Sequence, residues 1–144
     1  MLVTQKKQYA LRAVFELAKR KGKGPVKTQQ IAAEQAIPLR FLEVILSQLK
    51  REGLVTSKRG IRGGYTLNRV PDEITVGTIF RLLDGSDGSP ECITCVNKKN
   101  CPFLGDCVFM GLWNSAYDAM NEIYDSTTIQ QLVDNEKIRL FEPK

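Results

Sequence analysis

Apolar and small residues recur at three- and four-residue intervals along most of the chain, and strict alternation is confined to one short region, so the pattern predicts a mainly α protein with little sheet. Tyr9, Ala10, Ala13, Val14, Leu17 and Ala18 fall on one face of a first helix that Thr4 caps. The basic run Lys19 to Lys23, with Gly22, ends it. Val26 and Lys27 suit a short extended piece, after which Thr28 caps a second helix running from Gln29 to Glu34. Ala36, Ile37 and Pro38 make a turn, and a third helix runs from near Pro38 to Arg51 with Gly53 as its stop. This helix has two faces: Leu42, Ile45, Leu46 and Leu49 form a core stripe, while Arg40, Glu43, Val44, Ser47 and Arg51 repeat on the other side. Two strand-like runs follow, Leu54 to Lys58 and Tyr65 to Leu67, joined by Arg59-Gly60-Ile61-Arg62-Gly63-Gly64.

Three helices followed by a hairpin is the order of a winged helix-turn-helix. Beyond Pro71, Thr75 caps a fourth helix, Val76 to Leu83, with Ile79, Leu82 and Leu83 inward. Asp84 to Pro90 reads as a flexible connection of turn formers. From about Pro102 or Cys107 a long helix is predicted through Tyr124, with Leu112, Trp113, Ala116, Tyr117, Met120 and Ile123 on one stripe. Such a stripe needs a partner surface, either a second copy or its own domain. Thr128 caps a last short helix, Ile129 to Asp134, ahead of a charged tail. The expected architecture is a winged helix-turn-helix DNA-binding domain over 1–84, a cysteine-containing sensor loop over 85–107, and a dimerisation helix and tail over 108–144.

Charge turns this architecture toward a ligand. The net +5 of the 144 residues divides unevenly: residues 1–70 hold 15 Lys and Arg against four Glu, or +11, and residues 71–144 hold six basic and 12 acidic side chains, or −6. The first half is a polyanion binder by charge, or else a basic surface that is merely solvated. A helix fits the major groove of B-DNA, where Arg40 suits a guanine edge or phosphate, Glu43 a cytosine amine and Val44 a thymine methyl, with Ser47 on the same face. Gly60, Gly63 and Gly64 let the hairpin backbone approach a phosphate or a narrow minor groove, with Arg59 and Arg62 supplying charge. Gln29, Lys50, Arg51 and Lys58 complete the set as phosphate contacts. No stretch reaches the roughly 20 apolar residues of a membrane span, and Met1 to Lys7 leads into a charged helix, so the expectation is a soluble, cytoplasmic protein without a membrane partner. With no His, no phosphate-binding glycine motif and no carboxylate pair in an acid–base setting, the chain is not expected to be an enzyme.

All four cysteines, Cys92, Cys95, Cys101 and Cys107, fall in one short segment with gaps of two, five and five residues, so four thiolates can converge on one centre. Soft thiolates favour an iron–sulfur cluster, 2Fe–2S or 4Fe–4S, or zinc. The spacing lacks the second tight knuckle of a zinc ribbon, which leaves zinc the alternative. Buried free thiols or a thiol–disulfide switch are further readings. Cys92-Ile-Thr-Cys95 lacks the strand-to-helix setting of a thiol–disulfide enzyme.

The run from Ile37 to Tyr65, Ile-Pro-Leu-Arg-Phe-Leu-Glu-Val-Ile-Leu-Ser-Gln-Leu-Lys-Arg-Glu-Gly-Leu-Val-Thr-Ser-Lys-Arg-Gly-Ile-Arg-Gly-Gly-Tyr, resembles the recognition helix and wing of the IscR/NsrR/CymR family of transcriptional regulators. Tyr9-Ala-Leu-Arg12, Ile74-Thr-Val-Gly77, the cysteine segment, Leu112-Trp113 and Thr128-Ile-Gln-Gln-Leu-Val133 follow in that family's order, so the resemblance spans nearly the whole chain. It implies a homodimer on palindromic double-stranded DNA, with Arg40, Glu43, Val44 and Ser47 at base or backbone contacts and Arg59 in the minor groove. Val44 departs from a more polar residue expected there, so the operator does not carry over. The resemblance also implies a cluster on Cys95, Cys101 and Cys107. Its usual fourth ligands are a His three residues after the last cysteine, here Met110, or an acid on the first helix, here Gln8; Cys92 is the replacement at hand.

Overall fold

The computed structural model describes residues 3–84, 101–103 and 105–141. Helix α1 (Gln5–Lys19) starts at Thr4, whose hydroxyl accepts a hydrogen bond from the Lys7 amide. Its inner face is small: Ala10, Ala13, Val14, Leu17 and Ala18 are buried, and their short side chains let α1 lie at the centre of the fold against three or more other helices. Helix α2 (Thr28–Gln35) differs from expectation at its start, because Lys27 takes the cap position and Thr28 is the first helical residue, with no side-chain cap. The Lys27 side chain carries no acceptor to replace the hydroxyl, and the turn is closed instead by the Gln30 and Ile31 amides, which donate to Lys27 O at 3.0 and 3.1 Å. At its other end Ala36 adopts a left-handed conformation, φ 50°, which turns the chain sharply into Pro38.

Helix α3 (Leu39–Arg51) follows Pro38, and Leu42, Ile45, Leu46 and Leu49 are all buried, as the spacing required. Each contributes on the order of 1.5–3 kcal/mol of transfer free energy. Strands β1 (Val55–Lys58) and β2 (Gly64–Leu67) pair antiparallel in the register Val55 with Leu67 and Lys58 with Gly64. The extended piece at Val26 joins them through a bridge to Tyr65, its amide and carbonyl bonded to those of Tyr65 at 2.9 and 2.8 Å. After a 3-10 turn at Pro71–Glu73, helix α4 (Val76–Asp84) begins at Thr75, whose hydroxyl accepts from the Thr78 amide at 3.1 Å.

Helix α5 (Met110–Ser126) begins later than the sequence pattern suggested, because the residues before it are held in turns closed by Asp106 N–H to Phe103 O and Met110 N–H to Cys107 O. Helix α6 (Ile129–Phe141) runs well past the expected end at Asp134. It starts on a reciprocal cap, Thr128 Oγ1 accepting from the Gln131 amide and Gln131 Oε1 from the Thr128 amide. Ile129 and Val133 are buried in the same core as α1, and Lys19 pairs with Glu136 at 2.8 Å. The chain thus leaves the core at α4 and returns beside it, with Ile129 N–H bonded to Ile74 O and Val76 N–H to Thr127 O. No helix among the described residues is long and apolar enough to cross a membrane.

Candidate nucleic-acid interface and cysteine segment

Burial of one side of α3 fixes what the other side shows. Arg40, Glu43, Val44, Ser47 and Arg51 are exposed and line one shallow surface together with Gln48. Val44 is 63% exposed at its middle, a bare isopropyl group between charged neighbours. Lys50 is engaged elsewhere: its ammonium donates to Ser57 Oγ at 2.6 Å and joins the end of α3 to the hairpin. Lys58, Arg59, Gly60 and Arg62 are exposed on the hairpin, and Gln29 is exposed on the first turn of α2, outside the α3 surface. The structure therefore brings the α3 residues onto one surface and attaches the hairpin to it through Lys50.

Gln48 has a part that the sequence pattern did not assign. It falls between the two faces of α3 and is half-buried, and its amide donates to Leu82 O at 3.1 Å and Leu83 O at 3.4 Å. These are the last-turn carbonyls of α4, which have no partner within their own helix. Helix α3 is thereby bonded directly to the element that leads into the cysteine segment. Asp84, at the end of that element, pairs with the buried Lys7 of α1 at 2.8 Å, and the Lys7 ammonium stands 5.4 Å from the centre of the Phe80 ring. Neither partner was expected, since a lysine inside a helix core is invisible to apolar spacing.

Cys92 and Cys95 lie outside the described residues. Cys101 and Cys107 are described; both are half-buried free thiols in the turns that enter α5. Cys107 shares a small hollow with Gly105, Asp106, Val108 and Met110, and Phe103, Val108 and Phe109 are exposed around the segment. Among the described residues no group of three or more His, Cys, Asp and Glu converges. Gln8 is exposed on α1 and Met110 is the first residue of α5. Two partly sheltered thiols with apolar neighbours are chemically suited to a soft metal centre.

The Rrf2 family model, described as iron-dependent transcriptional regulators, matches residues 3–135. The transcriptional regulator IscR of Sodalis glossinidius is 36% identical over 138 residues, 96% of this chain and 82% of that protein. Among solved structures, IscR of T. potens is 30% identical with a TM-score of 0.81, covering 100% of this chain and 94% of its own. CymR of B. subtilis, described as the global cysteine regulator, is 36% identical with a TM-score of 0.75 over 94% of this chain and 98% of its own.

Proposed function

The chain belongs to the Rrf2 family of transcriptional regulators, and from that premise we propose that it acts as a homodimer on palindromic double-stranded DNA and senses iron–sulfur, redox or nitric oxide status through its cysteines. The observation that carries the DNA reading is α3 itself: one side is sealed into the core, and the other offers Arg40, Glu43, Val44, Ser47 and Arg51 on a single surface. Arg40 pairs with a guanine edge or a phosphate, Glu43 accepts from a cytosine amine, Val44 packs on a thymine methyl, and Ser47 bonds either a base or a phosphate. Gln29, Arg51 and Lys58 set affinity through phosphates, as does Lys50 through the ammonium hydrogens that Ser57 leaves over, and Arg59, Gly60 and Arg62 form the hairpin's approach to the minor groove.

Division of labour follows the chain: residues 1–84 read DNA, 85–107 sense and 108–144 dimerise, with α6 also completing the core of the first part. Cys92, Cys95, Cys101 and Cys107 would hold a 2Fe–2S or 4Fe–4S cluster, which would supply a centre sensitive to oxidants, nitric oxide and iron supply. The protein's own part is transmission. The cysteine segment is rooted at Asp84 and at Met110, and Gln48 bonds the last turn of α4 to the reading helix. A change in the segment shifts the balance between two placements of α3 by the difference in its fit to each.

The likeness to a protein described as a global cysteine regulator favours a second reading, a thiol switch or a zinc site without a cluster. Anaerobic purification separates the two. On the first reading the protein is brown with visible thiolate-to-iron absorption, Cys101→Ala is colourless, and holo and apo forms differ in gel-shift affinity for the same duplex. Colourless wild-type protein with full DNA affinity overturns it.

A further inference from the structure

The tip of the hairpin holds an apolar side chain out in solvent. Gly63 N–H donates to Gly60 O at 2.9 Å, closing a turn whose central residues are Ile61 and Arg62. Ile61 is 91% exposed. Such positions favour Gly, Asn, Asp and Pro, which set or relax the backbone, and isoleucine does neither. It buries no surface in the core, and its bare apolar area opposes solubility. Nothing in folding accounts for it.

The turn also cannot tuck Ile61 away. A Cβ at Gly63 would stand 2.2 Å from Lys58 O, and one at Gly64 2.4 Å from Val26 O, so the hairpin neck is packed backbone to backbone. The paired hydrogen bonds of Val26 and Tyr65 fasten that neck to the body. Arg59 and Arg62 flank the tip and are exposed. A tip that carries an exposed apolar group beside two exposed arginines, on a closely packed neck, matches a narrow minor groove, whose negative potential draws the arginines and into which minor-groove proteins insert apolar side chains.

We propose, on the footing of the DNA-binding function above, that Ile61 is a specificity-determining residue that the hairpin presses onto the minor-groove floor, favouring A·T pairs there. The basis is steric and a matter of hydration: a G·C pair projects the guanine 2-amino group into that floor, and an A·T pair does not. Ile61 would lose contact with the floor and strand a hydrated donor beneath an apolar group.

The test uses the full-length protein and duplexes enriched by it from a random-sequence pool. Hydroxyl-radical footprinting locates the base pairs under the hairpin, and those pairs are rebuilt as A·T, inosine·cytosine or G·C. Inosine·cytosine keeps the major-groove face of G·C but lacks the 2-amino group. The expected result is equal wild-type affinity for A·T and inosine·cytosine and about tenfold weaker binding to G·C. Ile61→Ala should lose most of that discrimination, all three falling toward the wild-type level for G·C, with the same dependence on salt because no charge has changed. Ile61→Ala removes only exposed surface, and an unchanged melting temperature verifies its fold. An Ile61→Ala protein that keeps the A·T preference, or a wild type that lacks one, overturns the role of Ile61 while leaving DNA binding standing. A wild type that enriches no duplex overturns the DNA-binding reading and this role with it.

Discussion

Glu16 is an acid in the basic half of the chain, yet its side chain is only 2% exposed. It accepts from Arg20 Nε and from Gln35 Nε2, the latter at 2.8 Å. Burial, the largest single influence, pushes its carboxyl pKa up, but the bonds from Arg20 and Gln35 and the charges of Arg20 and Lys19 together hold it below its ordinary value of 4.5. A carboxyl depressed by folding contributes stability that is fully present above the unfolded value and is lost as pH falls through the folded one. Urea unfolding from pH 7 down to pH 3 should therefore show Glu16→Gln less stable than wild type by about 1–3 kcal/mol at neutral pH, with the gap closing in acid. A constant gap across that range counts against the assignment. The spacing of Glu16 and Arg20 is legible in the sequence as a helical pair. What was not legible is that Gln35 closes over it from α2, because apolar periodicity says nothing about which charges a neighbouring helix covers.

At the scale of elements, the sequence pattern located the six α-helices and both strands of the described residues, missed the 3-10 turn at Pro71–Glu73, and erred at the ends. The hydroxyl of Thr28 promised a cap that Lys27 pre-empted, and turns at Phe103 to Met110 delayed α5 where apolar spacing alone ran on. The length of α6 was concealed because the stretch after Asp134, Asn135-Glu-Lys-Ile-Arg139, is mostly polar or charged and its Ile138 is 58% exposed. The hairpin was legible from its glycines, and the structure gives two of them separate reasons. Gly63 has no room for a side chain; Gly64 has none either and also holds φ at 147°. Gly64→Ala should cost about 1–3 kcal/mol in backbone strain. It should also displace the neck from Val26. The helical circular dichroism should be retained while duplex affinity falls by an order of magnitude or more, and full affinity in this variant would mean that the hairpin's placement is unimportant.

For the molecule as a whole, the charge division follows the chain, with 15 Lys and Arg in residues 1–70, which include α3 and the hairpin, and 12 Asp and Glu in residues 71–144. Helix α5 stands apart: none of its residues is buried, although Leu112, Trp113 and Ile123 are among them, at 59, 39 and 62% exposure. It is fastened at its far end, where Asp125 pairs with Arg81 at 2.7 Å and approaches so closely that Gly77 has no space for a Cβ. In the proposed homodimer this helix is where the second copy sits. Trp113→Lys should weaken dimerisation on the order of a hundredfold, read by sedimentation equilibrium. A variant that remains dimeric at wild-type concentration dependence would place the contact elsewhere. The return of α6 to α1 bears on synthesis as well as on form. Lys19 and Glu136, 117 residues apart, are bonded across that junction, and Ile129 and Val133 complete the core around α1. On the ribosome, the first helix must wait for nearly the last before its surroundings close. A nascent chain halted after the hairpin lacks Ile129 and Val133, so the interior around α1 is completed only after the cysteine segment has been made.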